Sequence, residues 1–140
     1  MKTFAATCVA LIILGASVTR SAPSLPQSGS DDQKKYAAVT LLRVVNTAEM
    51  ELRKSRKHYG GFAELFESGG LNAAGEHFGT AWSDLQIKKE MVAEPLAGYE
   101  MHFTVDESGN SYSVSLREKL NSNAFFTDER GLIYEAKPLQ

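Results

Sequence analysis

Residues 31–57 read DDQKKYAAVTLLRVVNTAEMELRKSRK, and this stretch decides the fold. Ala38, Leu41, Leu42, Val45, Ala48 and Leu52 recur at three- and four-residue steps, so a helix carries them on one face. Arg43, Asn46, Glu49, Arg53 and Lys54 fall mostly elsewhere on that helix. Ser30 and Gln33 stand at capping-box spacing, and Asp31 and Asp32 lie where the positive end of the helix dipole favours acids. The basic residues toward Lys57 suit the negative end, and Gly60-Gly61 is expected to terminate the helix. At ~1.5 Å per residue, about 27 residues make a rod roughly 40 Å long, which is long for a small domain.

Toward the carboxyl terminus, Phe62 to Phe66 reads as a second, short helical segment stopped by Gly69-Gly70. Asn72 to Thr80 is polar and dotted with glycine and reads as a loop. Trp82, Leu85 and Ile87 belong to another short helix or an irregular packed turn, which Pro95 closes. From Gly98 the period changes to two. Tyr99, Met101, Phe103 and Val105 alternate with Glu100, His102 and Thr104. After a turn at Asp106 to Asn110, Tyr112, Val114 and Leu116 alternate with Ser111, Ser113, Ser115 and Arg117. One buried and one wet face make this an antiparallel hairpin. Ala124 to Thr127 and Leu132 to Glu135 form a second strand pair around Asp128-Glu129-Arg130-Gly131. The expected fold is therefore α+β: a long N-terminal helix packed against a small C-terminal antiparallel sheet.

Toward the amino terminus, Lys2 precedes a mainly apolar run from Phe4 to Val18, followed by small residues up to Ala22. That is the pattern of a secretory signal, and the run is shorter than the roughly 20 residues a spanning helix needs. Small residues around Ala16 and around Arg20 both offer cleavage points, whereas cutting after Ala22 sets Pro23 beside the scissile bond. The expected organisation is a signal peptide at 1–22, a Pro-, Ser- and Gly-containing linker at 23–30, and a single domain at 31–140. The product is then exported, periplasmic or secreted, with no permanent membrane anchor after cleavage. Cys8 is the only cysteine of the 140 residues, so the mature domain has no disulfide, thiol nucleophile or cysteine metal site. The formal charge is −2, and the only basic cluster is Arg53 to His58, a balance that argues against nucleic-acid binding.

Four segments in order carry a family resemblance: Ala38 to Glu49; His58-Tyr59-Gly60-Gly61-Phe62-Ala63-Glu64-Leu65; Gly98 to Thr104; and Asn123-Ala124-Phe125-Phe126-Thr127-Asp128-Glu129-Arg130-Gly131-Leu132-Ile133-Tyr134. A helix ending near a tyrosine and glycine leads to a short leucine-containing segment. A Gly-Tyr strand and a closing Phe-Thr-Asp-x-x-Gly hairpin follow. This layout resembles the globular head of type IV pilin-like proteins, including the major pseudopilins of type II secretion, over Ala38 to Tyr134. Members of that family begin with a glycine-ended leader and a Phe-Thr-Leu-Ile-Glu-like stretch that opens a membrane-anchoring, filament-forming helix. Here Phe4 to Val18 contains no acidic residue, and a proline-containing linker separates it from the helix. The resemblance therefore implies a pilin head released as a soluble protein, and fibre assembly does not carry over.

Catalytic and metal-ligand signatures are weak. His58, His77 and His102 share no ligand spacing, and no serine sits in a Gly-x-Ser-x-Gly elbow. Gly60-Gly61 and Gly69-Gly70 follow helical segments instead of opening them after strands, unlike a phosphate loop. The resemblance brings calcium into view, since such pseudopilins bind it through a loop near the sheet. Asp106, Glu107 and Asn110 lack the alternating acids of a dedicated calcium loop and read as a plain turn, and so do Asp128 and Glu129. No catalytic, cofactor-binding or metal-ligating residue is assigned, and no cofactor. The expectation is a non-enzymatic, pilin-like protein that acts by protein–protein contact, with pilin or secretion-system-like subunits as partners. Docking through the helix would follow if Ala38, Leu41 and Val45 stay uncovered. The alternative is a periplasmic small-ligand or calcium-binding module, with a pocket between the helix and Asn72 to Pro95 lined by Trp82.

Overall fold

The computed structural model describes residues 31–87 and 93–138. The expected signal, linker and Ser30 cap lie outside the described residues. Helix α1 runs from Asp31 to Arg56, a single unbroken rod. It ends earlier than the glycine pair: Lys57 adopts a left-handed φ of 67° and its N–H donates to the Arg53 carbonyl at 2.9 Å. The turn is made there because the chain must double back. Two residues later, the Tyr59 N–H donates to the Gly109 carbonyl at 2.8 Å, tying the helix exit to the first hairpin.

Three short helical pieces follow: α2 (Phe62–Glu67), α3 (Gly70–Gly75) and, after a 3-10 turn at Glu76–Phe78, α4 (Thr80–Ser83). The expected loop over Asn72 to Thr80 is thus largely helical. Leu71 and Ala74, one turn apart, are both buried in the core, and that burial outweighs the poor helix propensity of the flanking glycines. Gly75 marks a close approach: a Cβ there would overlap the Trp82 ring. Trp82 is partly buried against the core, and so pins α4 to α3.

The sheet is a four-stranded antiparallel meander in the order β1 (Tyr99–Val105), β2 (Tyr112–Glu118), β3 (Ala124–Asp128) and β4 (Tyr134–Ala136). Its register pairs Tyr99 with Glu118 and Val105 with Tyr112, then Leu116 with Phe125, then Phe126 with Tyr134. The alternation places Tyr99, Met101, Tyr112, Val114, Leu116 and Phe125 on the buried face, as period two requires. The last strand starts later than the Leu132 position expected. Asn46 Nδ2 donates to the Gly131 carbonyl at 3.1 Å, which holds the turn against the helix before pairing begins.

Helix α1 packs against the sheet and against α2 to α4, which also meet each other through the Phe62 and Phe103 rings, 6.4 Å apart. Ala38, Leu41, Leu42, Val44 and Val45 are fully buried. A Leu removed from water contributes about 1.5–3 kcal/mol, so this central row dominates the core. The conditional docking stripe at Ala38, Leu41 and Val45 is therefore covered within the chain itself. Burial also takes in Asn46 and Glu49, which the periodicity had set off the apolar face.

Candidate functional site

The last turn of α1 and the residue just past it gather Arg53, Lys54, Arg56 and Lys57, as the negative end of a helix dipole favours. Two of the four have carboxylate partners: Lys54 pairs with Glu51 at 2.6 Å and Arg56 with Glu64 at 2.7 Å. Among the described residues no carboxylate lies within ion-pair distance of Arg53 or Lys57. Arg53 is held instead by the ring of Tyr59, 4.5 Å from its guanidinium carbon, and by donating to the Asn110 carbonyl at 3.2 Å. Lys57 folds its ammonium back onto the Lys54 carbonyl at 3.1 Å. Met50, Arg53, Lys54, Lys57 and Tyr59 together line an open cleft of about 520 Å³. The Met50 side of it is apolar, and Met50 is 54% exposed.

A buried polar network supports this corner. Tyr59 meets Tyr112 edge to face at 4.8 Å, and the Tyr112 hydroxyl donates to Asn46 Oδ1 at 2.8 Å. Asn46 Nδ2 reaches Thr127 Oγ1 at 2.9 Å, so one amide links the helix to β2, β3 and the Gly131 turn. One turn further along the helix, Glu49 is fully buried and accepts the Gly60 N–H at 3.0 Å through Oε2. Its Oε1 has no hydrogen-bond partner among the described residues. Burial, above all, pushes this carboxyl up to about 7; nearby Glu64 adds to the rise, while the Gly60 N–H and His58 oppose it. Neither Asn46 nor Glu49 was singled out from sequence. The available signal was their own spacing, since Leu42, Asn46 and Glu49 also recur at four- and three-residue steps.

The hairpin turn is locked to the same corner. Gly109 takes a φ of 66°, and a Cβ there would come within 2.8 Å of His58 Cβ. His58 Nδ1 lies 3.0 Å from the Tyr59 carbonyl oxygen. His102 is exposed on the outer sheet face beside Glu100, and His77 is exposed in the 3-10 turn, so the three histidines are not brought together.

No family model, curated protein or solved structure matches this chain. In the two acidic turns the Asp106 and Asp128 carboxylates are spent internally. Asp106 accepts from the Ser108 hydroxyl and, at 2.7 Å, from the Ser111 N–H; these bonds hold its carboxyl below the usual range. Asp128 is clasped by the Arg130 guanidinium, which lowers it likewise. Among the described residues no group of three or more His, Cys, Asp or Glu side chains could hold a metal ion, and no helix is long and apolar enough to cross a membrane. A second cleft, of about 700 Å³, opens between the start of α1 and residues 81–86 and 95–97, lined by Gln33, Tyr36, Leu85, Gln86 and Leu96 among others. Trp82 is not part of its lining, contrary to expectation, because the ring is turned onto Gly75.

Proposed function

We propose that the mature chain is an exported, non-enzymatic protein, built like a pilin head, that acts through contact with other proteins, pilin- or secretion-type subunits among them. The coarse architecture of a long helix under a four-stranded antiparallel sheet is the one the family resemblance implies, and it supports this reading. The observation that carries it is the cleft at the end of α1. An exposed methionine, a half-buried tyrosine and three cations share one concave surface, a composition suited to holding a partner. Contact through the apolar stripe is withdrawn, since Ala38, Leu41 and Val45 are each 0% exposed.

Two measurements test the reading. Expressed with its own amino terminus, the full chain is expected in the exported fraction, with an intact mass short by the first 15 to 22 or so residues. A full-length product held in the membrane overturns export. A photo-crosslinking residue at position 50 is expected to give a discrete adduct that the same residue at position 117, on the outer sheet face, does not. No adduct from position 50 in the exporting cell overturns the contact role.

The cleft beside Tyr36 favours one further reading, a small-ligand module. It predicts a raised melting temperature for at least one compound in a thermal-shift screen, lost on Tyr36→Ala. A flat screen removes it.

A further inference from the structure

From the cleft at the end of α1 we infer the partner's chemistry: a short, extended acidic peptide segment with one apolar side chain. This deepens the contact reading above and rests on it. Charge complementarity is the first reason. Arg53, Lys54 and Lys57 face the cleft with no carboxylate in its lining among the described residues, although the chain as a whole carries a formal charge of −2. The positive potential is therefore local, not a property of the whole surface. The second reason is preorganisation. Arg53 is already fixed between the Tyr59 ring and the Asn110 carbonyl, so little side-chain freedom is lost when it takes a carboxylate. Lys54 is held only by an exposed pair with Glu51, both side chains more than 60% accessible, and an arriving carboxylate readily displaces such a partner.

Size and shape choose among anions. From Met50 to the end of the helix at Arg56 the axis advances about 9 Å at ~1.5 Å per residue, a length that three or so extended residues span. The apolar floor of Met50 and Tyr59 asks for an aliphatic side chain between the carboxylates. A membrane or a nucleic acid is a large polyanion that meets the field of the entire acidic domain, whereas a short segment meets only the cleft.

Fluorescence anisotropy with a labelled peptide, Glu-Glu-Leu-Asp-Glu, tests this on the full exported chain. Saturable binding is expected, weakening as salt rises, with Lys57→Glu and Lys54→Glu each reducing affinity about fivefold or more. Arg117→Glu, on the outer sheet face, changes net charge equally and is expected to alter affinity less than about twofold. Met50→Ser tests the apolar contact without touching a charge, and is expected to weaken the Leu peptide while leaving a Glu-Glu-Ser-Asp-Glu peptide unchanged. Equal losses for Lys57→Glu and Arg117→Glu overturn the inference. So does tighter binding to phosphatidylglycerol vesicles or to an oligonucleotide, and so does the absence of saturable peptide binding. Circular dichroism of each variant separates lost binding from lost fold. Export and crosslinking at position 50 are scored independently, so the cleft's assigned chemistry can fail while the contact role stands, and the reverse.

Discussion

At residue 49 the core encloses a carboxyl whose second oxygen meets no donor among the described residues. Its folded value of about 7 lies above the ordinary 4.5, so the folded chain holds this proton more tightly than the unfolded chain does. The associated stability is complete below the unfolded value and is lost as pH rises through the folded one. Urea denaturation is expected to show a loss on the order of 3 kcal/mol between about pH 5 and about pH 8. Glu49→Gln keeps the acceptor for the Gly60 N–H and does not titrate, so its stability should stay nearly flat over that range. The lowered carboxyls Asp106 and Asp128 act in the opposite direction, but only on descent through and below the usual carboxylate range. Asn46 makes a different demand. Asn46→Ala would strand the Tyr112 hydroxyl and the Gly131 carbonyl at once, and is expected to cost about 2–4 kcal/mol in the same assay.

At the scale of elements, the short helices α2 to α4 are held by what they touch. Six residues do not sustain a helix in water, so α3 exists because Leu71 and Ala74 are buried against α1. Gly75→Ala shows which effect wins there. Helix propensity favours alanine by about 1 kcal/mol, yet the new methyl would overlap the Trp82 ring. Net destabilisation of about 2 kcal/mol or more is expected, with a red shift of fluorescence from Trp82, the single tryptophan. Helix α1 offers the contrast between its covered and open faces. Leu41→Ala, at 0% exposure, is expected to cost about 3–5 kcal/mol, and Met50→Ala, at 54%, no more than about 0.5. Comparable losses at both positions would contradict the packing described.

At the scale of the whole molecule, one rod packs against both the sheet and the short helices, and all three share a single core. The sheet has a single buried face, and the short helices have one apolar turn each, so α1 supplies the common surface for both. The same arrangement leaves the helix's final turn open at one corner. There the chain reversal at Lys57, the hairpin tip at Gly109 and the Tyr59 ring converge around the basic cleft. Those cations were legible in the sequence as a run complementing the helix dipole. That they share a concavity with Met50 and Tyr59 was not, because it depends on the left-handed turn at Lys57 and on Gly109 meeting Tyr59 from fifty residues away.

Periodicity by itself determined the long helix, the Tyr99 and Tyr112 ribbons with their buried sides, and the α+β class, since steps of three to four and of two follow from local backbone geometry. Only the tertiary structure decided that α1 would be covered from two sides. One apolar stripe was evident in the chain, but the sheet and its Gly131 turn drew Asn46 inside, and the chain reversal at Gly60 drew in Glu49. The same long-range packing turned the Asn72 to Thr80 stretch into helix, because glycine there answers to a tryptophan ring and not to a loop. Burial is set by everything that lies against a face, and sequence spacing reports only the face.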